Sequence, residues 1–122
     1  MNIRKIISSA AAIVSLSAIS VFADPAIIYD LGGKFDKSFN EMAYTGAERW
    51  KADTGGNYRE IELSSEAQRE QALRRFAEAG NNPIVMAGFA FSTVLGEVAK
   101  DYPDTRFAVI DGYVPDQSNV LN

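Results

Sequence analysis

Residues 29–43, YDLGGKFDKSFNEMA, contain the signals for a strand, a turn and a helix in direct succession. The apolar run at residues 26–29 ends inside this stretch, and short continuous runs of this kind are typical of strands buried on both faces. Two glycines then interrupt the apolar pattern. Ser38, followed three residues later by Glu41, is a capping-box pattern, which predicts that a helix begins at this point.

The predicted helix carries apolar residues at helical spacing and ends before a pair of glycines, residues 55–56. This spacing predicts one buried face, and Trp50 is expected to lie in the core. Phe39 stands at the start of this face, where a core position and a ligand contact both remain open. The apolar positions of the helix are Phe39, Met42, Ala43, Gly46, Ala47 and Trp50.

The rest of the chain alternates predicted strands and helices. Strands are predicted at residues 58–63, 83–87 and 106–110, and residues 120–121 are a candidate start of another. Acidic and apolar residues alternate in the first of these strands, which predicts a place near a sheet edge. Helices between the strands predict an α/β fold, with a parallel sheet that is covered by helices on both faces.

The helix predicted after residue 65 has two chemically different faces. Apolar residues at helical spacing predict its buried stripe, while charged residues predict a solvated surface. The buried stripe consists of Ala72, Leu73, Phe76 and Ala77, and the solvated face of Glu66, Arg69, Glu70, Arg74 and Glu78.

The composition excludes several classes of function. The 122 residues include no cysteine and no histidine. Disulfides, thiolate metal sites and cysteine nucleophiles are therefore excluded, and the commonest general base and metal ligand is missing. Residues 24–122 retain 10 of the 12 basic residues and all 16 acidic residues, which gives a formal net charge of −6. An acidic chain of this kind lacks the basic surface that nucleic acid requires.

The first residues have the three parts of a secretory signal peptide. A basic pair at positions 4–5 precedes an uncharged apolar run at 6–19, and compact residues lead up to Ala23. The apolar run is short for a membrane-spanning helix. We predict a signal peptide at 1–23, cleavage after Ala23, and one folded unit of modest size at 24–122. We also predict an exported protein that is not a lipoprotein, because no cysteine is there to carry a lipid.

A ligand site is expected at one edge of the sheet. In open parallel sheets, ligands bind beyond the carboxyl ends of the strands, where the strand order reverses. If the order is 2-1-3-4, the loops after the first and third strands flank that crevice. Carboxylates and aromatic rings there suit a neutral polyol with a flat ring, although Asp30 and Asp111 also fit a role as turn caps. The residues expected to converge are Asp30, Phe39, Asn40, Phe89 and Asp111.

Two separated motifs point to a known family. Residues 29–50 contain DKSFN, residues 36–40, after a strand that ends in Asp. In residues 81–114, Gly-Phe follows a strand, and Pro-Asp leads into another strand that ends in Asp. Both motifs resemble motifs of the basic membrane protein family. Its members are the substrate-binding proteins of ABC transporters for purine nucleosides and related compounds. The resemblance covers the chain from about residue 25 to its last residue.

The resemblance implies a partial first lobe of a type I periplasmic-binding-protein fold, in which two α/β lobes close over a ligand. It implies that Phe39 stacks on the base of a nucleoside, and that Asn40 and Asp111 hydrogen-bond to the nucleoside. By the same resemblance, Asp30 lines the pocket. Further ligand-binding candidates carried over from the family are Asp36, Gly88 and Phe89.

The function implied by the resemblance is solute binding without catalysis. The expected protein is a monomer that passes a small molecule to an ABC permease in the membrane, with no cofactor, metal or nucleic acid. One alternative is an exported sensor or chemoreceptor protein on the same fold. Another is a metal-dependent nucleoside hydrolase that holds a divalent cation with Asp30, Asp36 and Asp111.

Overall fold

A computed structural model describes residues 23–122, and the predicted signal peptide lies, apart from Ala23, outside the described residues. No helix in the described part has the length and apolar character needed to cross a bilayer. The strands are β1 (Ala26–Tyr29), β2 (Arg59–Glu62), β3 (Ile84–Ala87), β4 (Phe107–Ile110) and β5 (Val120–Leu121). The helices are α1 (Phe39–Thr54), α2 (Gln68–Glu78) and α3 (Ser92–Asp101), and a 3₁₀ turn, Phe89–Phe91, precedes α3.

The strands form one parallel sheet in the order β2-β1-β3-β4-β5. Ile28 of β1 lies between Ile61 of β2 and Met86 of β3, so β1 is an interior strand and β2 is at an edge. The predicted α/β class and the edge position of the second strand are therefore confirmed, and the strand order includes the arrangement 2-1-3-4 on which the prediction of the site was conditional. The order in which the chain adds strands reverses between β1 and β3, and in open parallel sheets ligands bind at the carboxyl edge of this position.

One face of the sheet carries most of the core. Alternate strand residues point to opposite faces, so Ile28 and Met86 face α2 and α3 while their neighbours face the other side. Leu73 and Phe76 of α2 and the apolar residues of α3 pack against this face. All four positions predicted for the buried stripe of α2 are buried. The apolar spacing located this stripe correctly because one face of α2 packs on the core along its whole length, while most of the other face is in solvent.

The opposite face is covered by α1 alone among the described elements. Ile27 and Tyr29 pack under Ala47 and its neighbours, and they leave a groove of about 800 Å³ beside the helix. The prediction that Trp50 is a core residue is wrong, because its side chain is 39% exposed on the wall of this groove. Phe39 and Met42, two further apolar positions of α1, are exposed as well. The groove is lined chiefly by Ile27, Phe39, Met42, Trp50, Val85 and Ile110.

Candidate functional site

The carboxyl edge of the sheet brings several predicted site residues to one place. Asp30 follows β1, Gly88 and Phe89 follow β3, and Asp111 follows β4, and these strands are neighbours in the sheet. A side chain at position 88 would place its Cβ 3.3 Å from Oδ2 of Asp30, so the end of β3 passes very close to this carboxylate. Gly88 also has a φ of 118°, which L side chains rarely adopt.

Asn40 connects the end of β1 to the loop that follows it. Its side-chain amide donates hydrogen bonds to the carbonyl oxygens of Asp30 (3.1 Å) and Gly33 (3.2 Å). Its Oδ1 atom accepts a hydrogen bond from the Asp30 N–H at 3.0 Å. Asn40 is buried, and these bonds use both amide hydrogens, which leaves one acceptor position on Oδ1. The amide therefore holds the backbone that presents Asp30, and its predicted contact with a ligand stays a prediction.

Asp36, and not Ser38, caps the start of α1. Ser38 occupies the N-cap position, but its side chain makes no capping hydrogen bond. Instead, Asp36 Oδ1 accepts hydrogen bonds from the N–H groups of Ser38 (2.8 Å) and Glu41 (3.1 Å), and Oδ2 accepts one from Asn40. Lys37 has a φ of 58°, and this left-handed residue folds Asp36 back over the helix start. The capping role assigned to Ser38 is thus wrong, although the helix begins where the pattern predicts.

The Asp36 carboxylate is stabilised in its charged form. Loss of solvent around the carboxylate raises its pKa, but the hydrogen bonds from the N–H groups of Ser38, Glu41 and Asn40 outweigh this effect. The pKa of Asp36 is therefore lowered from its ordinary value of 3.8. Because this carboxylate already accepts backbone hydrogen bonds, its local role is to fix the loop and the first turn of α1.

Replacing Asp36 by alanine is expected to lower the thermal midpoint of unfolding by a few degrees at neutral pH, because α1 loses its cap. A carboxyl whose pKa is lowered by folding stabilises the folded state above its unfolded pKa and loses that effect as the pH falls through its folded pKa. The difference between wild type and Asp36→Ala should therefore be full at pH 7 and shrink below about pH 4. Thermal unfolding followed by circular dichroism across this pH range measures it.

Ser38→Ala is the matched control for this experiment. Its hydroxyl makes no capping hydrogen bond, so the midpoint should stay close to that of wild type at every pH. A larger loss for Ser38→Ala than for Asp36→Ala would contradict the assignment of the cap.

Lys34 fastens the same loop to the edge strand β2. Its ammonium pairs with the Glu60 carboxylate and lies 4.9 Å from the centroid of the Tyr44 ring, while its backbone N–H donates to Glu62 Oε2 at 2.9 Å. The hydrogen bond with Glu60 raises the pKa of Lys34, so the cation is maintained. The loop after β1 is thus held at one end by Asn40 and in its middle by Lys34. No sequence pattern pointed to a role for Lys34, because its carboxylate partners lie on β2, 26 and 28 residues later in the chain.

Two phenylalanines offer ring surface near this edge. Phe39, the first residue of α1, is 50% exposed and lines the same groove as Ile110, the residue before Asp111. Phe89 is 75% exposed in the turn after β3. Rings that remain exposed beside carboxylates can stack on a flat ligand while the carboxylates accept its hydrogen bonds. Within residues 23–122, no group of three or more acidic side chains is arranged to hold a metal ion.

Arg69 lies near the predicted site, and its prediction as a solvated residue is wrong. The charge pattern of α2 assigned it to the solvated face, yet its side chain is only 12% exposed. It forms an ion pair with Asp30, a residue 39 positions earlier in the chain. The sequence contains no signal for this pair, because the other charged residues of the same face are at least partly exposed. The predicted site residue Asp30 therefore has a cationic partner.

Comparison with known proteins agrees with this architecture. The model of the Bmp family, described as ABC transporter substrate-binding protein PnrA-like, matches residues 25–122. The chain belongs to this family of extracytoplasmic substrate-binding proteins. The resemblance read from the two sequence motifs is therefore confirmed.

Individual relatives place the chain more closely. It is 42% identical over 90 residues to an uncharacterized lipoprotein of Pyrococcus furiosus, covering 70% of this chain and 22% of the relative. The ABC transporter nucleoside-binding protein BmpA of Lactococcus lactis is 26% identical over 101 residues, with 80% and 29% covered. A crystal structure of an ABC transporter solute-binding protein from Aeropyrum pernix superposes with a TM-score of 0.75 at 32% identity, covering 80% of this chain and 27% of that one. The chain thus spans about a quarter of the length of these relatives.

Proposed function

We propose that this chain belongs to the solute-binding component of an ABC importer and that its ligand is a purine nucleoside or a closely similar compound. The observation that carries the proposal is that exposed phenylalanine rings and carboxylates lie at the same edge of the sheet, at the carboxyl ends of β1, β3 and β4. Membership of the substrate-binding family and the nucleoside-binding relative in Lactococcus lactis support it.

The chemistry of the edge favours a neutral ligand over an anionic one. Phe39 supplies a ring for stacking on a base, and Asp111 supplies a carboxylate for hydroxyl or N–H donors. Asp30, which follows β1, adds acceptor positions at the same edge of the sheet. A phosphate would meet these carboxylates in a chain whose residues 24–122 carry a formal net charge of −6. A nucleoside is therefore preferred to its 5′-monophosphate.

We further propose that the mature protein starts at Asp24 in the periplasm, works as a monomer and binds its ligand without catalysis. Its lobe, residues 24–122, would pass the ligand to a membrane permease. The relatives from Pyrococcus are named lipoproteins, whereas this chain has no cysteine, so a free mature protein is part of the proposal. Mass spectrometry of the N-terminal peptide of the exported protein tests it, since a mature N-terminus other than Asp24 contradicts the cleavage site.

Titration of the ¹⁵N-labelled protein with adenosine, guanosine and inosine, followed by NMR, tests the ligand class. Amide shifts that saturate are expected at the carboxyl edge, and adenosine 5′-monophosphate should bind more weakly than adenosine. A panel that shifts nothing, or shifts only the wall of the groove around Trp50, would refute the proposal. The amides expected to shift are those of Asp30, Phe39, Asn40, Gly88 and Asp111.

The same sample separates binding from hydrolysis. Asp30 is paired with Arg69, and Asp36 accepts backbone hydrogen bonds from the start of α1, so two of the three acids assigned to a hydrolase have protein partners. Incubation with adenosine, with and without Mg²⁺ or Ca²⁺, should leave the nucleoside intact. Metal-dependent release of adenine would contradict the proposal of binding without catalysis.

A further inference from the structure

An ion pair stands at the end of β1, next to the proposed ligand site. The Arg69 guanidinium donates from Nε to Asp30 Oδ1 at 3.0 Å and from Nη2 to Asp30 Oδ2 at 3.1 Å. Two parallel hydrogen bonds of this kind fix the orientation of a carboxylate as well as its charge. The side chains of Arg69 and Asp30 are 12% and 16% exposed, so the pair is largely withdrawn from water.

The surroundings of Arg69 restrict its movement. Its guanidinium carbon lies 5.8 Å from the ring centroid of Phe91, a fully buried residue, and a guanidinium over an aromatic face is attracted to it. Glu66, one turn earlier in the chain, stands 4.0 Å from Nη1. The backbone at Gly88 passes close to Asp30 Oδ2, since a Cβ at position 88 would lie 3.3 Å from this oxygen. The carboxylate is consequently held between α2 and the end of β3.

A carboxylate held in this way still has capacity for a ligand. Its two oxygens offer about four acceptor positions, and Arg69 uses one on each oxygen. The positions that remain have a set direction, because the backbone of Asp30 is held by Asn40 and its side chain by Arg69. A binding group that is ordered before the ligand arrives avoids the entropic cost of ordering it on binding.

We propose that Arg69 is a positioning residue of the ligand site, which acts on the ligand only through the carboxylate of Asp30. This inference rests on the proposed function, since it needs a ligand at the carboxyl edge. A lysine could supply the charge but not the planar pair of donors, so the geometry calls for arginine. A purely structural arginine, which only ties α2 to β1, would affect stability and leave ligand affinity unchanged.

A double-mutant cycle tests the proposal on the full chain. The variants are Arg69→Gln, Asp30→Asn and the double substitution, each titrated with adenosine, guanosine and inosine by NMR. Arg69→Gln should weaken binding on the order of ten- to a hundredfold, by analogy with the loss of a group that orients a metal-binding side chain. In the Asp30→Asn background the same substitution should cause little further loss, because the carboxylate that accepts both hydrogen bonds from Arg69 is gone.

Two further variants distinguish positioning from stability. Arg69→Lys, which keeps the charge, should fold like wild type and recover only part of the affinity. Arg74→Gln removes exposed ion pairs with Glu70 and Asp101 on the same helix and should leave the affinity unchanged. Circular dichroism and thermal unfolding confirm that each variant is folded at the temperature of the titration.

The outcomes separate this inference from the proposed function. Wild-type affinity in Arg69→Gln, or equal losses in both backgrounds, overturns the positioning role and leaves nucleoside binding intact. If Arg69→Gln does not fold, Arg69→Lys decides, and wild-type affinity in that variant overturns the role. A wild-type protein that binds none of the three nucleosides overturns the proposed function, and the inference with it.

Discussion

Replacing Phe91 by alanine is expected to lower the free energy of unfolding by about 3–5 kcal/mol, the range for removal of a fully buried aromatic side chain. Phe91 has no solvent exposure and belongs to the main core between the sheet and helices α2 and α3. The loss combines the transfer of the ring to water with the cavity that it leaves. Urea unfolding followed by circular dichroism measures the change.

Phe89 provides a matched control in the same 3₁₀ turn. Its side chain is 75% exposed, so Phe89→Ala should change the free energy of unfolding by no more than about 0.5 kcal/mol. Similar losses for the two variants would mean that this turn is oriented differently from the structure described. The comparison also bears on function, because Phe89 is a candidate for ligand contact and Phe91 is not.

Replacing Phe39 by alanine is expected to weaken nucleoside binding by about 1–3 kcal/mol, the contribution of one base stacked on an aromatic ring. Phe39 is half exposed, so most of this effect should appear in ligand affinity rather than in folding stability. Titration of the labelled variant with adenosine, guanosine and inosine measures the loss, and urea unfolding of the free protein measures stability.

Phe35→Ala is the control for this prediction. Phe35 is an exposed ring in the preceding loop, and it packs edge to face on Tyr44 with ring centroids 5.3 Å apart. It has no predicted ligand contact, so its removal should leave the affinity close to that of wild type. Unchanged affinity in Phe39→Ala, together with a clear loss of stability, would assign Phe39 to the core.

The strands and helices of this chain could be predicted because their signals are local. The apolar run at residues 26–29 has the same first and last residues as β1. The glycine at position 55 ends α1 and has a left-handed φ of 71°. Alternation of strands with helices was sufficient for a parallel sheet, since parallel strands need crossover connections. The strand order 2-1-3-4 was assumed for the prediction of the site. The sheet has this order, which no local signal in the sequence specifies.

The errors have a common physical cause. Serine is a good capping residue, but the left-handed backbone of Lys37 places the Asp36 carboxylate, and not the Ser38 hydroxyl, on the N–H groups at the start of α1. Trp50 has the spacing of a core residue, yet no described element covers the sheet face beside it. In both cases the residue type was suited to its role, and geometry elsewhere in the chain decided the outcome.

The sequence by itself determined the junction at residues 29–43, the alternation of strands and helices and the family, because each depends on residues adjacent along the chain or at regular spacing. Tertiary structure alone decided the partner of Asp30. Arg69 lies 39 positions away on a helix whose other charged residues face solvent, and only the place of α2 against the end of β1 brings the two together. An ion pair depends on distance in space, which spacing along a sequence does not specify.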